Sequence, residues 1–273
     1  MRIALIDADS PVYAAGFAVQ KSKWKLETDP TAVFNTKADA LWYCSEYGLD
    51  PKCLYTEIEV EPVENALHII NTMLLKIVDS VKADKHEVYL SGVDNFRKDV
   101  ATIVGYKANR VQPKPVHYDA IRQYIMNKWK GIVVDGQEAD DEIGIRATEI
   151  QQAGDDSIIV SIDKDLLTIP SIHYNWKKEE WQTVDDEQAE LNYYIQCLTG
   201  DRTDNIPGID GVGPITAAKL LEGARDMDKA VRRAWKEAYP SGYIAEDGSV
   251  ISTDNVVDEV KKLLWIRRSR NET

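Results

Sequence analysis

Four short apolar runs, each closing on an aspartate, limit what this chain can fold into: "IALID" (3–7), "EVYLSGVD" (87–94), "GIVVD" (131–135) and "SIIVSID" (157–163). Each is shorter than a typical helix and carries β-branched residues, the pattern of a strand buried on both faces. Between them lie stretches with apolar residues at helical spacing, "ENALHIINTMLLKIVDSVK" (64–82), "HYDAIRQYIMNKWK" (117–130) and "EADDEIGIRATEIQQ" (138–152). Strands alternating with helices predict an α/β fold, a central and mostly parallel sheet flanked by helices. A polar hairpin over 172–184, a helix over 186–198 and a mixed helical stretch beyond Gly223 complete the pattern. Residues 20–60 are polar, dotted with aromatics and weakly periodic, and read as an insertion with one helix at 31–47. The expected division is a core over 1–185 and a helical region over 186–273.

The acids at the ends of these runs share one address. Asp7, Asp94 and Asp163 stand at strand ends, and Glu138, Asp140 and Asp141 open the helix after "GIVVD". Asp165 lies just beyond Asp163, while Asp201 and Asp204 open "GDRTDNIPGIDGVGPITAAKLL" (200–221). In open α/β sheets that edge is where ligands bind. A single acid there is commonly a cap, because it satisfies free N–H groups at a helix start. Nine carboxylates facing one crevice repel one another unless cations stand among them. Oxygen donors with neither His nor Cys beside them select a hard ion, Mg²⁺ or Mn²⁺. Two such ions suit phosphodiester hydrolysis.

Other chemistries lack their motifs. No G-x-G-x-x-G follows the first strand, and there is no P-loop and no nucleophile elbow. The three cysteines form no C-x-x-C pair, which points to idle thiols in a reducing compartment. No apolar run reaches the length of a membrane span and the N-terminus lacks a signal-peptide pattern, so a cytoplasmic chain without a membrane partner is expected.

The net charge of −13 argues superficially against a nucleic-acid partner. Distribution matters more than the sum. Basic residues mix with aromatics in "KSKWK" (21–25), "YKANRVQPKP" (106–115), "KWK" (128–130) and "KKLLWIRRSR" (261–270). Lys107 and Arg110 stand one helical turn apart, the pair expected to grip a reactive phosphate, with Tyr106 placed to stack on a terminal base. "GIDGVGPITAAKLL" (208–221) reads as a helix–hairpin–helix element spanning about 198–222. Gly208, Gly211 and Gly213 let backbone approach a phosphate, and Pro214 suits a helix start. With Thr216 and Lys219 beyond them, this element is expected to hold DNA backbone without reading its sequence.

Taken in order, "LIDADS", "VDNFR", "YKANR", "EADDEIG", "SIDKDL" and "GDRTDNIPGIDGVGPITAAKLL" resemble the 5′-nuclease (flap endonuclease) superfamily. The likeness is greatest to phage 5′–3′ exonucleases and to the 5′ nuclease domain of bacterial DNA polymerase I, and covers residues 3 to about 221. The resemblance implies the PIN-like fold of that superfamily. It implies one ion held by Asp7, Asp94, Glu138 and Asp140, and a second held by Asp141, Asp163, Asp165, Asp201 and Asp204. It makes Lys107 and Arg110 the active-site basic pair and places a potassium ion at the helix–hairpin–helix. The implied activity is a monomeric 5′–3′ exonuclease of duplex DNA that also cuts 5′ flaps and RNA paired with DNA. Its products carry 5′-phosphates, and its setting is a bacterial cytoplasm, that of the host if the gene is a phage's. Ala8 and Ala14 depart from the family's opening motif, where Gly and Arg are usual. Two other classes remain, a catalytically idle protein binding DNA ends or junctions and a PIN-type ribonuclease. The complete acidic set opposes the first, and the helix–hairpin–helix entrance opposes the second.

Overall fold

The computed structural model describes residues 1–245 and 247–272. In chain order its first elements are β1 (Arg2–Asp7), α1 (Asp9–Ala18), β2 (Gln20–Leu26), β3 (Val33–Phe34), α2 (Lys37–Tyr47), β4 (Leu54–Val60) and α3 (Val63–Val81). Then come β5 (Lys85–Asn95), α4 (Arg97–Val100), α5 (Tyr118–Lys128), β6 (Ile132–Gly136), α6 (Ala139–Gln152) and β7 (Asp156–Val160). The remainder is β8 (Ser171–Asn175), β9 (Glu180–Val184), α7 (Asp186–Thr199), α8 (Pro214–Leu221), α9 (Met227–Ala238), β10 (Tyr243–Ile244), β11 (Val250–Ile251) and α10 (Thr253–Leu264).

The chain divides into two compact units. One comprises Met1–Asp9, Ile77–Gln112 and Trp129–Thr273; the other comprises Ser10–Lys76 and Pro113–Lys128. Residues 186–273 thus share a unit with the main sheet, and the boundary expected near residue 185 does not coincide with this division.

In the first unit six strands run in the order β6-β5-β1-β7-β8-β9. All neighbours are parallel except the antiparallel pair β8–β9, the hairpin expected over 172–184. Three of the apolar runs therefore become the central parallel strands β5, β1 and β7, while the run at 131–135 becomes the edge strand β6, where only Val134 is buried. One face is covered by α6, whose Ala139, Ile143, Ala147 and Ile150 recur at helical spacing and pack with Ile3, Leu5 and Ile159 of the sheet. Full burial of each large aliphatic side chain contributes roughly 1.5–3 kcal/mol, which is what fixes this helix on the strands. A second core joins α7, α8, α9 and α10 around Trp235, whose Nε1 donates to the Cys197 carbonyl at 3.0 Å.

The second unit corrects the reading of residues 20–60. β2, β3 and β4 form an antiparallel sheet in the order β3-β2-β4, and the only α-helix in that stretch is α2, which begins at Lys37 behind a Thr36 cap. Lys25 pairs with Glu57, and Lys23 approaches Glu59 at 4.0 Å. Charged residues (Lys21, Lys23, Lys25, Glu57 and Glu59) alternate along these strands with a mixed face that includes Trp24, Leu26, Ile58 and Val60, a period-two pattern carried by few apolar residues. Only Leu26 of β2 is buried, and none of β4 is.

Candidate active site

The crevice opens where β1, β7 and the N-terminus of α6 converge. Asp7 closes β1 and is buried; it accepts from Ser161 Oγ at 2.8 Å and from the Asp9 amide at 3.0 Å. Burial, then the Asp9 charge, push its carboxyl up to about 7. Asp140 lies well above the usual carboxylate range, through burial and the charges of Asp7, Asp163 and Glu138. Asp163 lies three residues past the end of β7, not on the strand itself. Its carboxyl is raised by burial and by Asp204 and Asp201, although the Asp165 amide donates to it at 2.9 Å. Burial and the Asp163 charge push Asp165 up to about 7 as well, and Gln196 Nε2 donates to it at 2.7 Å.

Burial is the largest cause of each of these shifts, and each acid also resists ionising in the field of the others. The donor chemistry fits hard divalent cations: Asp7 is buried, Glu138, Asp140, Asp165 and Asp204 are half-buried and Asp163 stands exposed at the mouth, all donors are oxygen, and several groups are raised by one another's charge. Among the described residues, no three His, Cys, Asp or Glu side chains are drawn close enough to make a ready-formed ion nest. The acids line a common crevice rather than a finished cage.

Three expected ligands are placed differently from the rest. Asp94 lies exposed near the end of β5 and is absent from the crevice wall, because the register with β6 shifts between Ser91 and Asn95. Asp141 is fully buried and turned inward: Arg97 grips both its oxygens, at 2.6 and 2.9 Å. Asp201 caps its own turn, accepting from the amides of Thr203 at 2.6 Å and Asp204 at 3.2 Å. Burial alone would raise it, but Lys164, 3.1 Å away, and those amides hold it low.

The basic pair faces the acids from a turn, not from the helix its spacing suggested. Ala108 donates to the Gly105 carbonyl and Arg110 to that of Lys107, both at 3.1 Å, and Lys107 has φ 56°. The Lys107 ammonium pairs with Glu138 and lies 3.4 Å from Asp204, while Arg110 reaches Asp204 at 2.5 Å. Burial would lower Lys107, yet the charges of Glu138 and Asp204 raise it, so it stays protonated. The Tyr106 hydroxyl lies 2.9 Å from Glu138 and 2.8 Å from Asp204, and its ring packs against the second core. Tyr106 is thereby a strut between two acids rather than an open stacking surface.

The glycine-rich turn joins α7 to α8. Gly200 has φ 63° and ψ −171°, a region open only to glycine, and a Cβ on Gly208 would collide with the Thr199 carbonyl. Gly213 caps α8 at φ −95° with open space beside it, and Pro214 takes the first helical position. Gly211, Gly213 and Thr216 are exposed around this helix start and Lys219 is exposed in its last turn, whereas Gly208 is half-buried.

Sequence reasoning missed Asp9, Ser161, Lys164 and Gln196, and gave Arg97 no role. Ser161 had a local signal, two residues before Asp163; its oxygen accepts from the Asp163 amide at 3.0 Å and donates to Asp7. Asp9 follows Asp7 by two residues and accepts from the Ser91 amide at 3.0 Å. The Arg97–Asp141 pair spans 44 residues and left no mark in the pattern.

A family model described as the 5′-3′ exonuclease, N-terminal resolvase-like domain matches residues 2–194. DNA polymerase I of Rhizobium leguminosarum is 37% identical over 156 residues, 51% of this chain and 15% of that protein. The flap endonuclease Xni of Shewanella amazonensis is 37% identical over 99 residues, 33% of this chain and 39% of that one. The matched stretches thus span well under half of these relatives. The flap endonuclease of bacteriophage T5, solved as a pseudo-enzyme-product complex with DNA and metal ions, superposes with a TM-score of 0.51 at 13% identity, covering 97% of this chain and 99% of that one. That likeness establishes the fold, a mixed and mostly parallel sheet flanked by helices.

Proposed function

The chain belongs to the 5′–3′ exonuclease N-terminal, resolvase-like family, and from that premise we propose that it is a metal-dependent 5′ nuclease acting on duplex DNA. The observation that carries this reading is the crevice in which Asp140, Asp163 and Asp165 face Lys107 and Arg110. Asp7, Glu138, Asp140, Asp163, Asp165 and Asp204 would hold the ions, Mg²⁺ or Mn²⁺. Two such ions supply, when bound, Lewis acidity for the attack of water on phosphorus and for departure of the leaving oxygen. Lys107 and Arg110 neutralise charge on the phosphate as it develops.

Reaching the crevice requires the terminal nucleotides to unpair, at a cost of roughly a few kcal/mol. The exposed start of α8 holds duplex backbone through its free amides, with Gly211, Gly213, Thr216 and Lys219 in contact. Gly208 supports that turn from within, and a potassium ion belongs to the same helix–hairpin–helix. Products are 5′-phosphorylated mono- or short oligonucleotides, with cleavage of 5′ flaps and of RNA paired with DNA as related activities. The protein acts as a monomer in the cytoplasm; among the described residues no helix is long and apolar enough to cross a membrane.

The test uses 5′-labelled blunt, gapped and flapped duplexes with Mg²⁺ or EDTA, beside Asp163→Ala. We expect Mg²⁺-dependent product from wild type and none from the variant. No product on any substrate sinks the nuclease reading, and equal degradation by both proteins sinks the site assignment. The placement of Asp94 and Asp141 outside the crevice favours a second reading, a DNA-end-binding protein without turnover. Tight binding with no product in either Mg²⁺ or Mn²⁺ would select it.

A further inference from the structure

Arg97 is 2% exposed and spends its planar fork on two segments distant from it in sequence, the start of α6 and Leu263–Arg267. Two nitrogens grip Asp141 at 2.6 and 2.9 Å, Nε donates to the Leu263 carbonyl at 2.8 Å, and one terminal nitrogen also donates to the Trp265 carbonyl at 2.7 Å. The other terminal nitrogen lies 3.9 Å from Glu138. Asp141 in turn accepts from the Glu138 amide and from the Arg267 amide, both at 3.1 Å. The chain at Leu263–Arg267 lies close against α6: a Cβ on Gly144 would strike the Arg267 carbonyl. Leu263, Leu264 and Ile266 also form part of the crevice wall beneath Glu138 and Asp140.

From this geometry we infer that Arg97 is a positioning residue that, through Asp141 and the Leu263–Arg267 segment, fixes the first turn of α6 and so the aim of Glu138 and Asp140. The inference rests on the metal-dependent reading above. Asp140 and Asp141 are neighbours on one helical turn, so immobilising one carboxylate inward sets the direction of the other outward. Lysine cannot substitute: its single ammonium can meet Asp141 but lacks the fork that also spans two carbonyls on the far segment. Outer contacts of this kind typically change ion affinity by about 10–100-fold.

Mn²⁺ affinity of the DNA-free protein is measured by calorimetry for wild type, Arg97→Lys and the charge-balanced double variant Arg97→Met with Asp141→Leu, each first shown to be folded by its thermal melt. The double variant removes the buried pair without stranding one charge. We expect the folded variants to bind Mn²⁺ about 10–100-fold more weakly, with kcat reduced and KM for duplex unchanged. Wild-type affinity in either folded variant overturns the inference. If neither variant folds, amide hydrogen exchange of the wild type decides. Mn²⁺ should slow exchange at Arg267, whose amide meets Asp141, and unchanged exchange there overturns the inference as well. Absence of Mn²⁺ binding by wild type overturns the metal reading itself, an outcome distinct from equal binding by all three proteins.

Discussion

Lys107 and Arg110 end on the same acid but in different surroundings. The Lys107 side chain is 24% exposed and is also bound to Glu138, whereas Arg110 is 51% exposed and meets Asp204 as its one acid, with a long bond to the Thr203 carbonyl at 3.4 Å. Removing the enclosed cation should cost more at the transition state. Lys107→Ala is expected to lower kcat by about 10²–10³-fold in single-turnover measurements, while Arg110→Ala chiefly raises KM and flattens its salt dependence. Equal kcat losses would contradict this ranking. His173 gives a separate pH signal. Buried and bonded to the Ile169 carbonyl at 2.9 Å, it is held below its ordinary value by desolvation. The unfolded chain takes up a proton near pH 6.5 while the fold refuses it, so stability is full above that pH and declines as pH falls. The urea midpoint of wild type should therefore drop more steeply from pH 7 to pH 5 than that of His173→Gln; parallel slopes would refute the assignment. Most of the acidic crevice was legible because hydropathy locates strand ends. The exposed position of Asp94 could not be read, because it follows from the β5 irregularity, nor the inward turn of Asp141, which depends on a distant arginine.

At the scale of elements, the α7–α8 connection separates two uses of glycine. Gly208→Ala drives a Cβ into the Thr199 carbonyl and the Gly200 amide, backbone that cannot swing aside. A loss of about 2–3 kcal/mol is expected from chemical denaturation. Gly213→Ala meets open space at an ordinary φ of −95° and should change stability by less than about 0.5 kcal/mol. If phosphate approaches the α8 start, the same variant still weakens duplex binding; unchanged binding would remove Gly213 from the contact. The parallel strands and α6 were legible since their burial is written as apolar periodicity. The β3-β2-β4 sheet was read past, since β2 and β4 are held by cross-strand ladder bonds and Lys–Glu pairs, with Leu26 their one buried residue.

For the whole molecule, the metal-dependent reading joined to a net charge of −13 and a crevice of raised carboxylates predicts that divalent ions stabilise the fold. Asp7 and Asp165 ionise near 3.8 in the unfolded chain but only at about 7 in the metal-free fold. The sign follows directly. The fold favours their protonated forms, so the stability they contribute is fully present below the unfolded value, declines as pH rises and is lost above about 7. His173 acts in the opposite direction at the acid end, which makes His173→Gln the background of choice. In that background with EDTA, the melting temperature should fall from pH 5 to pH 8. Divalent ions bind the ionised form and reverse the trend. At a concentration near 100 times Kd they add about 2.7 kcal/mol, roughly 5–10 °C for a domain of this size. Asp163→Ala removes one of the repelling charges and should raise the EDTA melt at pH 8 while shrinking the Mn²⁺ response. A melt that is flat with pH and indifferent to Mn²⁺ would mean that the acids do not form one electrostatic unit. A Mn²⁺ response left whole in Asp163→Ala would mean that the ions bind somewhere else.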